Sequence, residues 1–264
     1  MWYQDAQEFK TANGYEINGA WYPRVTRILE IKSKPGLDAF FKEVGDYSSI
    51  EEIKNRSAAE GTLVHETVQQ LLTGKAIAVP EEIKPAVEAF LRFNEKKQII
   101  FHPEYIERQV RSLRHRYAGT VDALATVGGK FGVLDIKTST GFYPEYNLQT
   151  AAYASALQEF LVGKELALPR GIETRWILRI NQHRVCRVCA ALLREKGGRS
   201  KVRASKLHGP ALCVDGQHEW GAMEGDVEIK EFPEAHGDMR AFVAAKTLWE
   251  WEHAYWLKRI GYAQ

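Results

Sequence analysis

The sequence predicts an α/β chain of the α+β kind: a mixed central sheet flanked by helices, with a helical N-terminal part and a small inserted segment rich in Cys, His and basic residues. Three observations predict it. Apolar residues recur at three- and four-residue spacing in the N-terminal third. Between Tyr105 and Lys137 the texture changes to β-branched and alternating runs. An alanine-rich helix then leads into a run that reads as a mostly buried strand, Thr174 to Ile180. With 264 residues and 45% hydrophobic content, the chain can bury one large core, so a single domain over 1–264 is expected, carrying the insert at 181–226.

Taken in order, helices are expected over Leu37 to Val44, Ile50 to Leu72 and Glu81 to Lys97, the last with Ile83, Val87, Phe90, Leu91 and Asn94 on adjacent faces. Strands follow over Tyr105 to Tyr117, Thr120 to Thr126 and Phe131 to Lys137. They should form an antiparallel meander, because Val127-Gly128-Gly129-Lys130 suits a tight hairpin turn. A helix over Glu145 to Leu161 precedes the buried strand Thr174 to Ile180. Met239 to Trp256 reads as a helix with Phe242, Ala245, Trp249, Glu252 and Trp256 in one stripe toward the core.

No apolar run is long enough to cross a bilayer, and the first residues carry no basic-then-apolar leader, so a soluble cytoplasmic protein without a membrane partner is expected. Three cysteines, an odd number, make a poor disulfide scaffold and fit a reducing compartment. The formal charge of +2 does not by itself announce a polyanion binder. Its distribution is more telling: eleven Lys/Arg lie between Arg170 and Lys206 against Glu173 and Glu195 alone. The basic residues Arg184, Arg187, Arg199, Lys201 and Arg203 are candidates to face phosphates.

Asp135-Ile136-Lys137 ends a strand, so period-two alternation puts a carboxylate and an ammonium on one face, a pair suited to holding a hard cation and positioning water. Six other acid-x-Lys triplets occur in the chain, so context must select among them. Asp122 supplies that context. It lies thirteen residues earlier, on the partner strand of the expected hairpin and flanked by apolar residues, where two close acids repel unless a cation sits between them. Upstream, His65 sits next to the apolar face of its helix, with Glu60 and Glu66 nearby. Downstream, Gln149 and Tyr153 are four apart on one helical face.

Gly61-to-His65, Gly119-to-Asp122, Asp135-to-Lys137 and Gln149-to-Tyr153, in this order, resemble the RecB-like branch of the PD-(D/E)xK nucleases. Tyr22-Pro23-Arg24-Val25-Thr26-Arg27-Ile28-Leu29 and Asp135-Ile136-Lys137-Thr138-Ser139 look like the mitochondrial genome maintenance exonuclease type and its bacterial and phage relatives. The resemblance spans about Tyr22 to Ile180 and resumes at Glu228; Arg24 stands where the family often has Ser. It implies a restriction-endonuclease-like fold and a DNA exonuclease acting on ends or single strands. It further implies Mg²⁺ or Mn²⁺ on His65, Asp122, Asp135 and the backbone carbonyl of Ile136, with Lys137 acting on the attacking water. Gln149 and Tyr153 are implied to hold the DNA backbone, the tyrosine ring packing on a sugar or base.

All three cysteines fall in the insert, where the family usually has a short turn. Cys186-Arg187-Val188-Cys189 is a C-x₂-C knuckle, and Cys213 and His218 add C-x₄-H, together a Cys₃His set suited to structural Zn²⁺; His183 and His208 are alternative fourth ligands. A small segment with few large apolar residues needs such a staple. Two other readings compete: a non-catalytic DNA-binding protein on a nuclease-like scaffold, and a structure-specific endonuclease.

Overall fold

The computed structural model describes residues 3–32, 47–204, 213 and 217–262. The helix expected over Leu37 to Val44 and His208 lie outside them. Asp5 caps the first helix, α1 (Ala6–Asn13), through its carboxylate on Gln7 and Glu8 N–H. A hairpin of β1 (Gly14–Ile17) and β2 (Ala20–Pro23) follows, then the short α2 (Val25–Ile28). The long helix α3 (Tyr47–Leu72) and α4 (Lys84–Lys97) come next, close to the expected bounds.

Seven strands build a mixed central sheet: β3 (Ile100–Phe101), β6 (Ala123–Val127), β7 (Lys130–Lys137), β8 (Thr174–Cys186), β9 (Leu192–Lys196), β10 (Arg199–Arg203) and β11 (Trp220–Glu231). A separate antiparallel pair, β4 (Arg108–Ser112) and β5 (Tyr117–Val121), takes the place of the single strand expected over Tyr105 to Tyr117. The chain reverses there because Arg116 adopts a left-handed φ of 52°, and the Glu159 carboxylate accepts from Leu113 and Arg114 N–H.

The β6–β7 hairpin forms at the Gly128-Gly129 turn, and β7 pairs in parallel with β8. Between them run α5 (Pro144–Leu157) and α6 (Phe160–Glu165), where one helix over Glu145 to Leu161 was expected. The break falls at Glu159, whose side chain is drawn to the β4–β5 turn. The C-terminal stripe likewise divides into α7 (His236–Glu252) and α8 (Ala254–Arg259). At the division the His253 ring bonds the Trp249 carbonyl at 2.8 Å, and Glu252 is exposed rather than part of the buried stripe.

β8 runs six residues past its expected end at Ile180 and is the spine of the sheet. Its first half lies against β7, its far end against β9 on that same edge, and β11 lines the other edge along almost its whole length. The segment expected as an insert at 181–226 therefore grows out of the sheet itself: β8 continues to Cys186 and β11 resumes at Trp220.

Alternation along β7 sorts the two cores. Phe131 and Val133 enter one apolar cluster with Phe9, Ile28, Tyr117, Tyr153 and Phe242, while Leu134 and Ile136 enter the other with Val64, Val68, Phe90 and Leu178. The sheet is thus sandwiched between α3 and α4 on one side and α1, α2, α5 and α7 on the other. Each fully buried Phe or Leu contributes roughly 1.5–3 kcal/mol. Arg175 on β8 is fully buried and fastens three segments, donating to Asn147 O, Glu234 O and the Asp238 carboxylate. No helix among the described residues is long and apolar enough to cross a membrane.

Candidate active site

Asp135 and Lys137 follow Phe131 and Val133 on one face of β7, at the strand's carboxyl end. The Lys137 ammonium lies 2.7 and 2.9 Å from the two Asp135 oxygens. Asp122 occupies the bend between β5 and β6, one step beyond the paired Ala123 and Leu134, so it continues the register opposite Asp135. Its Oδ2 accepts the Ile136 N–H at 2.7 Å. From the other layer α3 brings His65, whose Nε2 is 3.2 Å from the same Asp122 oxygen. The site therefore bridges both layers at one end of the sheet.

Sequence reasoning missed Glu107. Its Oε1 is 3.6 Å from His65 Nδ1, and its N–H donates to Asp122 O. Arg108 pairs with Val121, so Glu107 continues that register opposite Asp122 just as Asp122 continues the other opposite Asp135. Its φ of 50° is rare for a residue with a side chain, and no spacing rule in the sequence signals it. Donor atoms of His65, Glu107 and Asp122 all lie within 4.8 Å of one another, an arrangement able to hold a metal ion. The close triad thus contains Glu107 where Asp135 was expected; Asp135 sits beside it, held by Lys137.

Charges here are strongly interdependent. Burial pushes the Asp135 carboxyl up to about 7, Lys137 opposing and Asp122 adding to the shift. Burial also works against the Asp122 charge, yet the His65 hydrogen bond, the Lys137 ammonium and the Ile136 N–H hold its carboxyl below the usual range. Burial raises Glu107, and Asp122 raises it further. Burial disfavours charge on His65 and Lys137, but the facing carboxylates raise both. One buried carboxylate oxygen, Glu107 Oε1, accepts no hydrogen bond, with His65 Nδ1 3.6 Å away, whereas both Asp135 oxygens face the Lys137 ammonium. Such an orphaned oxygen is costly without a cation.

Gln149 and Tyr153 are buried, the tyrosine 2% exposed, and Gln149 Nε2 donates to the Tyr153 hydroxyl at 3.2 Å. The Tyr153 ring packs on Gly119, where a Cβ would meet it at 2.4 Å, so glycine is required there. The expectation that Tyr153 packs on a sugar or base does not fit a ring that is 2% exposed and seated against Gly119. The aromatic facing Lys137 is Tyr146, its ring centroid 5.1 Å from Nζ, one further step along the stripe of Gln149 and Tyr153. An open hollow of about 410 Å³ in front of the site is lined by Ser57, His65, Glu66, Glu107 and Thr138 among others. Glu66 is exposed there, while Glu60 accepts the Gly197 N–H at 2.9 Å.

At the far end of β8, Cys186, Cys189, Cys213 and His218 converge with one donor atom each within 4.8 Å. Cys186 and Cys213 Sγ are 3.8 Å apart, and Cys189 Sγ is 3.3 Å from His218 Nδ1. His183 pairs across from Glu224 on β11 and stays outside this group. Of the basic candidates, Arg199, Lys201 and Arg203 line one groove. Arg184 is instead paired with Glu195 and donates to Gly221 O, and Arg187 lies in the cysteine turn; neither lines that groove. No protein-family model matches the chain, and no curated protein matches it.

Proposed function

We propose that the chain is a metal-dependent DNA nuclease of the RecB-like PD-(D/E)xK kind, hydrolysing phosphodiesters as an exonuclease on ends or single strands. One observation carries the reading: three carboxylates and an imidazole gather beside Lys137 at a strand end, with Glu107 Oε1 buried and without a hydrogen-bond donor. The motif order in the sequence supports it independently. An oxygen-rich set with one imidazole suits Mg²⁺ or Mn²⁺. His65, Glu107, Asp122 and Asp135 would hold the ion, with the Ile136 carbonyl added on the family resemblance. When bound, the cation supplies Lewis acidity, lowering the pKa of water and offsetting charge on phosphate oxygens.

The chain's own groups do the rest. Lys137, kept protonated by Asp135 and Asp122, places positive charge where a phosphate's oxygens would gain negative charge. Asp122 is fixed by His65 and the Ile136 N–H, so its carboxylate needs no reorganisation when substrate arrives. Gln149 and Tyr153 hold the wall behind the acids.

The Cys₃His group completes the reading as a structural Zn²⁺ site. A tetrahedral ion with Zn–S bonds of about 2.3 Å spaces its sulfurs by about 3.8 Å, which matches the Cys186–Cys213 separation.

The test is cleavage of end-labelled single- and double-stranded DNA, and of closed circles, with Mg²⁺ or Mn²⁺, comparing wild type with Asp135→Ala and Lys137→Ala. Metal-dependent loss of label that both substitutions abolish is expected. Binding without cleavage on every substrate would instead favour the scaffold reading, and cutting of closed circles an endonuclease.

A further inference from the structure

The β9–β10 hairpin carries its cations in an arrangement that a sheet alone would not favour. Arg194 and Lys196 on β9 share a face with Arg199, Lys201 and Arg203 on β10, because alternate residues of a strand point the same way. In register, Lys196 stands opposite Arg199 and Arg194 opposite Lys201. Like charges directly opposite each other destabilise a strand pair. Among the described residues, Arg194, Lys196, Lys201 and Arg203 form no ion pair within the protein. With Lys54 of α3 these cations line a groove of about 370 Å³ whose wall, among the described residues, holds no carboxylate.

The groove has a fixed geometry and a direction. At the hairpin turn, Gly197 N–H donates to Glu60, and a Cβ on Gly197 would lie 2.2 Å from Ser57 Oγ. The hairpin is therefore pinned against α3. Arg194 and Lys196 both donate to the carbonyl of Thr138, the residue that follows Lys137. Ser57 lines both this groove and the hollow in front of His65 and Glu107. Beside Thr140 in the groove wall stands Tyr143, 40% exposed, its hydroxyl 2.8 Å from Thr140 Oγ1.

We propose that the cationic face of β9–β10, with Lys54, is a track for the phosphate backbone of one nucleic-acid strand, leading it to the carboxylate site. The proposal rests on the nuclease reading and names how that site is supplied with substrate. Cations on one strand face recur about every 7 Å, at about 3.4 Å per residue, a repeat suited to successive phosphates of an extended chain. The exposed Tyr143 ring offers a stacking surface to unpaired bases. A duplex has its bases paired and cannot use that ring.

The test is fluorescence-anisotropy binding of labelled oligothymidylate and of a duplex of equal length, across a salt series, with no divalent cation added. Lys201→Ser/Arg203→Ser should weaken single-strand binding about tenfold at low salt and reduce the slope of log affinity against log salt by about 1.4, near 0.7 for each lost phosphate contact. Both side chains are exposed, so the fold should tolerate the change. Tyr143→Ala should weaken single-strand binding with the salt slope unchanged. Arg187→Ser, a charge loss outside the groove, should leave the slope as it was. An unchanged slope in the double variant, or an equal drop with Arg187→Ser, overturns the track; equal losses on the duplex overturn its single-strand character. Because nothing is hydrolysed in this assay, cleavage without a groove effect sinks only the track, and a groove effect without cleavage sinks only the nuclease.

Discussion

At the end of β7, functional groups ride on backbone fixed from both sides by apolar layers, and Asp122, Asp135 and His65 are already held by protein hydrogen bonds or ion pairs. At the end of β8 the situation reverses. Among the described residues, the partly buried apolar neighbours of Cys186, Cys189 and Ala191 are Cys213 and Trp220. The first group is organised by the fold itself; the second consists mainly of its candidate ligands, where a bound ion would organise the fold. One sheet can thus carry one site for chemistry and another for construction, and the two should respond differently to metal.

The sharpest way to break this comparison is to remove charge at the first site. Asp135→Asn should reduce DNA hydrolysis by more than about 10³-fold, while the circular dichroism spectrum stays that of wild type; retained cleavage would move the chemistry elsewhere. Glu107→Gln, nearly isosteric, should weaken Mn²⁺ binding about 10–100-fold, read by calorimetry, and an unaltered affinity would return Glu107 to a purely structural role.

At the second site the readout is stability. Cys189→Ser should abolish stoichiometric zinc by elemental analysis and lower Tm by about 6–12 °C, for a loss of ~3 kcal/mol, whereas adding or omitting Mg²⁺ should leave the fold intact. A Tm indifferent to the substitution would remove the distinction drawn between the two sites.

Smaller effects lie between them. Gly197 has a φ of 62° and no space for a Cβ, so Gly197→Ala should cost about 1–3 kcal/mol, concentrated as faster amide exchange across 192–203. The smallest is a pH effect at Lys196. Burial first, then Arg194, lowers its ammonium to about 8, and Glu60 only partly offsets them. Since its unfolded value is 10.5, the unfolded chain binds more protons between those limits and stability rises with pH across that window, by on the order of 1 kcal/mol after screening. Below pH 8 the penalty is constant. Urea titrations at pH 8 and 10 should show the rise in wild type and its loss in Lys196→Met; equal slopes would place the ammonium in water.

How much of this was legible depends on what set each position. The mixed sheet and its flanking helices follow from periodicity, and the Gly128-Gly129 turn fixes the register that brings Asp122 opposite Asp135. Glu107 escaped because its place depends on the reversal at 113–116, which rests on a left-handed Arg116 and on Glu159 from a distant helix. The same contact ended α5 early, so one long-range hydrogen bond hid two features. The C-x₂-C spacing pointed to Cys186 and Cys189, but the extension of β8 was not visible in its polar sequence Asn181-Gln182-His183-Arg184. Without that extension the phase of the β9–β10 hairpin is undetermined, which is why Arg184 and Arg187 were grouped with Arg199, Lys201 and Arg203 while Arg194 and Lys196 were left out.

Cys186 and Trp220 are Cα partners across β8 and β11. The two strands are therefore close enough at these positions to be rejoined by a tight turn. A chain with 187–219 excised and a two-residue turn in its place would keep both strands, the Arg175 anchor and all the acids at the end of β7. Such a miniature would lack both the cysteine knuckle and the cationic arm. The arm is tied to its parent by β9 on the edge of β8, by Arg194 and Lys196 on the Thr138 carbonyl and by Gly197 on Glu60, so losing it would also release the backbone next to Lys137.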